Sequence, residues 1–355
     1  MKKNNFILKK LIITLLVVAS IPLFATGCTN KGDSSSKVLS VYNVGDYIDE
    51  SLISEFEEKT GIKVQYSTYD TNEMMYQKVK SGSTKYDLIF PSDYMVQKMK
   101  EEGLLKKINY KNIPNFKYVD KLFLNPEYDK DNEYSVPYMW GTLGIVYNKT
   151  LVDDKVDSWD IMWDKKYSRD ILMFDSVRDT MGVALKKLGY SMNTTNQKEI
   201  NSARDILIKQ KPLVLAYVND DGKDRMIGDE AALGIFYSGD YQVMKDENEN
   251  LEYVIPKEGS NLWTDAICIP KSSDNQEWAE KFIDFLCDPD VNARNTEYIG
   301  YSTPISEGRK KLPEEMRNSP SAYPSDEILK KCEAFLDLGE NIKKYDRAWM
   351  EMKGN

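Results

Sequence analysis

The residue types that could do chemistry in this chain are set first by one that is missing: none of its 355 residues is His. That excludes Ser-His-Asp and Cys-His nucleophiles, His-ligated zinc and an imidazole pH switch. Carboxylates, Lys, Tyr and Cys remain. Several acids stand close in sequence to aromatic or hydroxyl side chains. Asp46 precedes Tyr47, Asp240 follows Tyr237 in YSGD, and Asp265 follows Trp263 by two residues, which puts both on one face of a strand. Ser92 and Tyr94 follow the run YDLIFP, Asp179 lies in DSVRDT, and Tyr301 lies in GYSTP. Carboxylates among aromatic planes suit a cation or a sugar, and paired carboxylates suit glycoside hydrolysis. Each also has a plainer role. Asp46 fits the acidic start of a helix, Ser92 a helix cap, Asp240 a solvated loop, Trp263 a core, and Asp265 a structural carboxylate.

The elements that must position these residues read as alternating strands and helices. Strand patterns cover 38–43, 62–68 and 86–90, with amphipathic helices over 49–60, 72–81 and 93–102 between and after them. A second series begins near Gly141. Strands fall at 142–147, 171–174, 213–218, 232–237 and 264–269; helices fall at 158–166, 180–188, from Thr195, and at 276–287. This alternation predicts an α/β protein with a mainly parallel sheet, its ligands lying beyond the carboxyl ends of the strands. Residues 43–47 and 92–94 occupy such ends. Asn219 to Gly222 reads as a turn without calcium-loop spacing.

Length and composition suit two lobes rather than one small domain. At 41% hydrophobic and 30% charged, the chain can bury a core. A net charge of −9 argues against a nucleic-acid partner. Residues 1–27 read as an export signal: Lys2, Lys3, Lys9 and Lys10, then an apolar run from Leu11 to Phe24 too short to span a membrane comfortably. Ala25-Thr26-Gly27-Cys28 resembles a bacterial lipobox, which implies cleavage before Cys28, a lipid on its thiol and anchoring at the outer face of the cytoplasmic membrane. Thr29 to Lys37 reads as a flexible tether. Without the leader the formal charge is about −13. The odd remainder of Cys268, Cys287 and Cys332 predicts buried thiols rather than a disulfide framework.

Ordered segments across nearly the whole exported chain carry a family resemblance: YNVGDYI at 42–48, YDLIFPSDYMVQKMKEEGLLKKI at 86–108, YSVPYMWGTLGIVYNK at 134–149, LGIFYSGD at 233–240, LWTDAICIPK at 262–271 and EYIGYSTP at 297–304. Together they resemble the extracellular solute-binding proteins that serve polyamine ABC transporters. The resemblance implies a two-lobed, type II periplasmic-binding-protein-like clamp, monomeric and non-enzymatic, that needs no cofactor or metal and delivers its ligand to permease subunits. It implies lobes of 38–142 plus 265–310 and of 143–264 plus 311–355. The ligand-lining positions it implies are Asp46, Tyr47, Ser92, Tyr94, Asp179, Tyr237, Asp240, Trp263, Asp265 and Tyr301, with acids for the ammonium groups and rings for the methylenes.

Five positions depart from the family pattern, two of them by a near substitute: Tyr237 replaces the more usual Trp, and Asp179 a glutamate one methylene longer. Val44 stands where Trp is usual, Ser176 where the spermidine branch has a second acid, and Phe335 near where that branch has a Gln. The acids Asp46 and Asp240 match the putrescine branch, which tilts the expectation toward putrescine or a mixed putrescine and spermidine specificity. A sugar or another cation on the same fold, and an exported glycosidase using paired carboxylates, are the alternatives.

Overall fold

The computed structural model describes residues 37–354; the leader, Cys28 and all of the tether but Lys37 lie outside the described residues. Strand β1 (Val38–Val44) leads into helix α1 (Glu50–Thr60), β2 (Lys63–Tyr69) and α2 (Asn72–Ser81). These elements form where hydrophobic residues recur at the right period and a cap is available. Asp49 caps α1 by accepting from the Ser51 N–H, Thr71 caps α2, and Gly61 closes α1 with φ of 69°. Strand β3 is shorter than its apolar run predicts, only Leu88–Ile89, because the chain turns at Pro91 into α3 (Asp93–Glu101).

The long β4 (Ser135–Asn148) extends the predicted 142–147 strand by seven residues at its start. It precedes β5 (Ile171–Phe174), α4 (Val177–Lys187), α5 (Gln197–Gln210) and β6 (Val214–Val218). The stretch predicted as a helix at 158–166 is two 3-10 turns, Trp159–Trp163 and Lys165–Tyr167. Helix α6 (Asp221–Ile227) starts inside the segment read as a turn. Then follow β7 (Leu233–Tyr237), α7 (Ser238–Glu247), β8 (Leu251–Val254), β9 (Leu262–Cys268), α8 (Gln276–Leu286) and α9 (Pro289–Ile299). A last helix spans Ile342–Gly354.

The nine strands run in the order β2-β1-β3-β9-β4-β7-β5-β6, with β8 also on β4. The expected mainly parallel sheet is corrected to a mixed one. β1 lies parallel to β2 and β3, and β5 to β6 and β7. The pairs β3–β9, β4–β9, β4–β7 and β4–β8 are antiparallel. The cause is that β4 and β9 are crossing strands rather than members of a strand-helix-strand unit. Residues 135–142 of β4 pair with β9, and residues 143–148 pair with β7 and β8.

Two sets of cores flank this crossing. On one side Leu39, Leu52, Phe56, Phe90, Phe282 and Ile283 pack together, with the Phe56 and Phe282 rings edge to face at 4.8 Å. Such a ring pair adds about 1 kcal/mol beyond its buried area. On the other side Ile145, Trp159, Ile171, Leu172, Leu233 and Phe236 form the centre. Tyr323 and Leu329 pack against the first core. The result is the expected two-lobed α/β clamp. Cys268 and Cys287 are buried as expected; Cys332 is only half-buried. No described helix is long and apolar enough to cross a membrane.

Candidate functional site

Asp265 sits in mid-β9 and takes a hydroxyl on each oxygen. Tyr47 Oη donates to its Oδ2 at 2.7 Å, and Ser92 Oγ donates to its Oδ1 at 2.6 Å. Three separate elements therefore meet at one carboxylate: the loop after β1, the start of α3, and β9. Ser92 occupies the N-cap position of α3 but makes no side-chain capping bond. Its hydroxyl is spent on Asp265 instead, so the simple capping role does not describe it. Asn72 holds it there: Asn72 Nδ2 donates to Ser92 Oγ at 3.0 Å, and the Ser92 N–H donates to Asn72 Oδ1 at 3.1 Å. Asn72 was not among the expected residues. Its signal, an amide at the start of a helix, is too common in sequences to single it out.

A second carboxylate, Asp179, lies in the first turn of α4 and is 5% exposed. Ser176 Oγ donates to its Oδ2 at 2.5 Å, and Tyr237 Oη donates to its Oδ1 at 3.0 Å. Ser176 is also the N-cap of α4. The position where the family resemblance placed a missing acid is thus a hydroxyl that serves the acid three residues on.

Between the two carboxylates runs a series of edge-to-face rings. Tyr47 and Tyr301 are 6.1 Å apart, Tyr301 and Trp263 5.0 Å, and Trp263 and Tyr237 6.2 Å, at interplanar angles of 78°, 88° and 80°. Two glycines make this packing possible. A Cβ on Gly141 would stand 2.6 Å from Trp263, and one on Gly239 2.0 Å from Tyr301, so neither position admits a side chain without moving a ring. The Trp263 Nε1–H is buried with no partner.

Burial raises the Asp265 and Asp179 carboxyls above the usual range, and the hydroxyls that donate to them pull the other way. Asp240 is raised by burial as well, against the pull of Lys223. The Tyr47, Tyr237 and Tyr301 phenols are pushed far up by burial first, then by the neighbouring acids, and stay neutral donors. Ionising Asp265 or Asp179 thus places negative charge among neutral hydroxyls, with Arg178 attracting the second. Such charge is costly to hold until a cation arrives.

The other expected residues are placed differently. Tyr94 is half-buried and gives its hydroxyl to Glu73 at 2.9 Å rather than to Asp265. Asp46 is exposed, with φ of 51°, and stands outside the hydrogen bonds of Asp265 and Asp179. It does not begin a helix either, since α1 starts at Glu50 and Asp49 caps it. Sequence reasoning missed Asp93, which lies between two expected residues. It is 1% exposed, its Oδ1 accepts the Tyr94 N–H at 2.7 Å, and its Oδ2 is buried without a partner. Burial pushes its carboxyl up to about 8. A surface cavity lined by Asp120, Trp140, Arg309 and Tyr323 shares no residue with the acid–aromatic group. Among the described residues no cluster of acids and thiols could hold a metal ion.

A two-lobed α/β clamp with acids and rings gathered in this way defines a solute receptor. The chain belongs to the bacterial extracellular solute-binding proteins: the model of that family matches residues 51–322. Members of the family bind solutes for transport and are not enzymes. The spermidine/putrescine-binding periplasmic protein of Salmonella typhimurium is 39% identical over 331 residues, covering 93% of this chain and 95% of that one. The putrescine-binding periplasmic protein SpuD of Pseudomonas aeruginosa is 32% identical, covering 97% and 98%. Among solved structures, the spermidine/putrescine ABC transporter substrate-binding protein PotD of Streptococcus pneumoniae superposes with a TM-score of 0.85 at 42% identity, covering 90% of this chain and 99% of that one.

Proposed function

We propose that this chain is the polyamine receptor of an ABC importer, taking putrescine, spermidine or both. One observation carries the reading: a half-buried carboxylate, Asp265, and a buried one, Asp179, each of which takes two side-chain hydroxyls, joined by the rings of Tyr47, Tyr301, Trp263 and Tyr237. A polyamine is a chain of methylenes with ammonium groups at intervals. Its ammonium ends would replace or share the hydroxyl bonds on Asp265 and Asp179, as charge-assisted bonds roughly twice as strong as neutral ones. The rings would cover the methylenes and attract the adjacent charge, at about 0.5–2 kcal/mol per contact. Neutralising the facing acids favours the closed clamp, so ligand capture and closure are coupled. The names of the relatives support this ligand class. Ser92 and Asp240 belong to the same reading, with Tyr94 and Asp46 at its margin.

In the same proposal, 38–142 plus 265–310 and 143–264 plus 311–355 are the two lobes, although Tyr323 and Leu329 lean on the core of the first. A lipid on Cys28 ties the monomer to the outer face of the cytoplasmic membrane, where permease subunits receive the ligand. Calorimetric titration of the detergent-solubilised chain with putrescine and spermidine tests the ligand class. The expected result is dissociation constants below about 1 mM for at least one of them. Asp265→Asn should weaken that binding about a hundredfold, and Trp159→Phe, in the distant core, less than about threefold. Heat from neither amine, or equal losses in the two variants, overturns the reading. Binding of a neutral sugar in their place would move the receptor to another ligand class.

A further inference from the structure

The stretch 333–338 is bonded both to α4 and to α3. These helices follow β5 and β3, strands that lie on opposite sides of the β9–β4 pair in the sheet. The first residues of the stretch are fixed to α4 and the turn after it. The Glu333 carboxylate accepts from Lys186 Nζ and from Ser191 Oγ. Asn193 Nδ2 donates to Ala334 O at 2.8 Å, while its Oδ1 accepts the Leu336 N–H at 2.9 Å and Arg178 Nη2 at 2.8 Å. Arg178 Nη1 donates to Leu336 O at 3.0 Å, and its guanidinium lies over the Phe335 ring at 4.4 Å. The next residue changes sides: the Asp337 N–H donates to Gln97 Oε1 of α3 at 3.1 Å. The side chains divide in the same way. Leu336 packs on the cluster of Tyr69, Met75, Met95 and Met99, whereas Leu338 packs with Met181 and Tyr345.

We infer that residues 335–337 form a latch between the two halves of the clamp, favouring the closed form through contacts that the ligand does not supply. The inference rests on the clamp of the polyamine reading but on none of its ammonium contacts. Among the described residues, the hydrogen bonds of residues 333–337 use none of the ten positions assigned to the ligand. A hinge motion that parts α3 from α4 must break one end of the stretch. The α3 end gives way, because there one hydrogen bond and the Leu336 side chain oppose several anchors on α4. A contact made only in the closed form raises the closed fraction before ligand arrives, and apparent affinity scales with that fraction. The latch therefore strengthens every ligand by one common factor and does not choose between them.

Spin labels on Glu58→Cys of α1 and Lys209→Cys of α5, both exposed, in a Cys332→Ser background, read the separation of the two halves in the detergent-solubilised chain. Part of the ligand-free wild-type population should show the separation seen at saturating putrescine. Gln97→Met keeps the length of the side chain and removes the acceptor, and should cut that closed fraction about threefold. Leu336→Ala removes the packing on α3 and should cut it about three- to tenfold. Affinities for putrescine and spermidine should fall by the same factor as the closed fraction, and saturating ligand should restore the closed separation. Gln97→Met carries the test alone if Leu336→Ala does not fold. A folded variant whose closed fraction stays within about twofold of wild type overturns the latch, as does a ligand-free wild type with no closed population. A change of more than about threefold in the ratio of the two affinities also overturns it, since these residues would then touch the ligand. A wild type that binds neither amine overturns the polyamine reading, and the latch falls with it only if the ligand-free separations of wild type and variants coincide.

Discussion

Asp93 is the residue that sequence position alone made look ordinary. Its neighbours Ser92 and Tyr94 drew attention, yet Asp93 is the one whose Oδ2 is buried with no donor. Burial, with some repulsion from Asp265, outweighs the Tyr94 N–H bond and the attraction of Arg178, and holds the carboxyl up to about 8. An acid whose folded value lies above its unfolded value near 3.8 binds more protons when folded. Its contribution is therefore most favourable below about pH 4, is lost as pH rises from about 4 to 8, and stays lost above that. Asp93→Asn keeps an acceptor for the Tyr94 N–H and removes the charge. It should stabilise the protein by roughly 2 kcal/mol at pH 8.5, with the gain fading towards pH 4. Urea unfolding at the two pH values measures this; an equal effect at both would show that Asp93 is not the titrating group.

At the scale of elements, what matters is which helix start meets which strand. Helix α7 brings Ser238 and Gly239 directly after β7, and Gly239 lets the Tyr301 ring lie against the helix backbone. Gly239→Ala puts a Cβ where Tyr301 Cε1 stands. The ring must move, and it is one of the four that link Asp265 to Asp179. The expected loss is about 1–3 kcal/mol of stability from overpacking. Ligand affinity should fall about tenfold in the same variant, because the wall itself is displaced. Thermal unfolding and calorimetry together check it: lost stability with unchanged affinity would mean Tyr301 is packing and not wall. The same scale explains Ser176. A hydroxyl at the N-cap of α4 both starts the helix and supplies a donor to Asp179, so a position that looked like a lost acid is a working part of another one.

For the whole molecule, the balance of charge and burial governs how the clamp responds to pH. Asp265 and Asp179 are both raised by burial in the free protein, and in the proposed polyamine site both must be ionised to hold ammonium groups. Binding should therefore weaken as pH falls, and the decline should begin above the ordinary carboxylate value of 3.8. Across that decline, binding should release protons, seen as a calorimetric enthalpy that varies with the buffer's ionisation heat. Flat affinity from pH 8 to 4 would contradict a carboxylate site. Through the same linkage, saturating ligand at a hundred times its dissociation constant should stabilise the fold by about 2.7 kcal/mol.

Much of this molecule could be read before its fold. The absence of His removed whole classes of chemistry, and hydrophobic period with caps located α1, α2, β5 and α8 closely, because those signals are local. Ordered segments such as LWTDA and YDLIFP also carried the family, since they keep their spacing along the chain. The first half of β4, the antiparallel centre of the sheet and helix α6 were not legible, because partners far away in sequence decide them. The same holds within the site. Asp265 and Trp263 could be paired from strand alternation alone. That Ser92 leaves its cap for Asp265, that Tyr94 turns to Glu73, that Asp46 stays in solvent, and that Lys223 reaches Asp240 depend on which surfaces meet when the strands pair. A sequence determines which side chains are available and which local backbone they favour. Only tertiary packing decides which of them lose water, and it is the loss of water that gives a carboxylate its raised pKa and its demand for a cation.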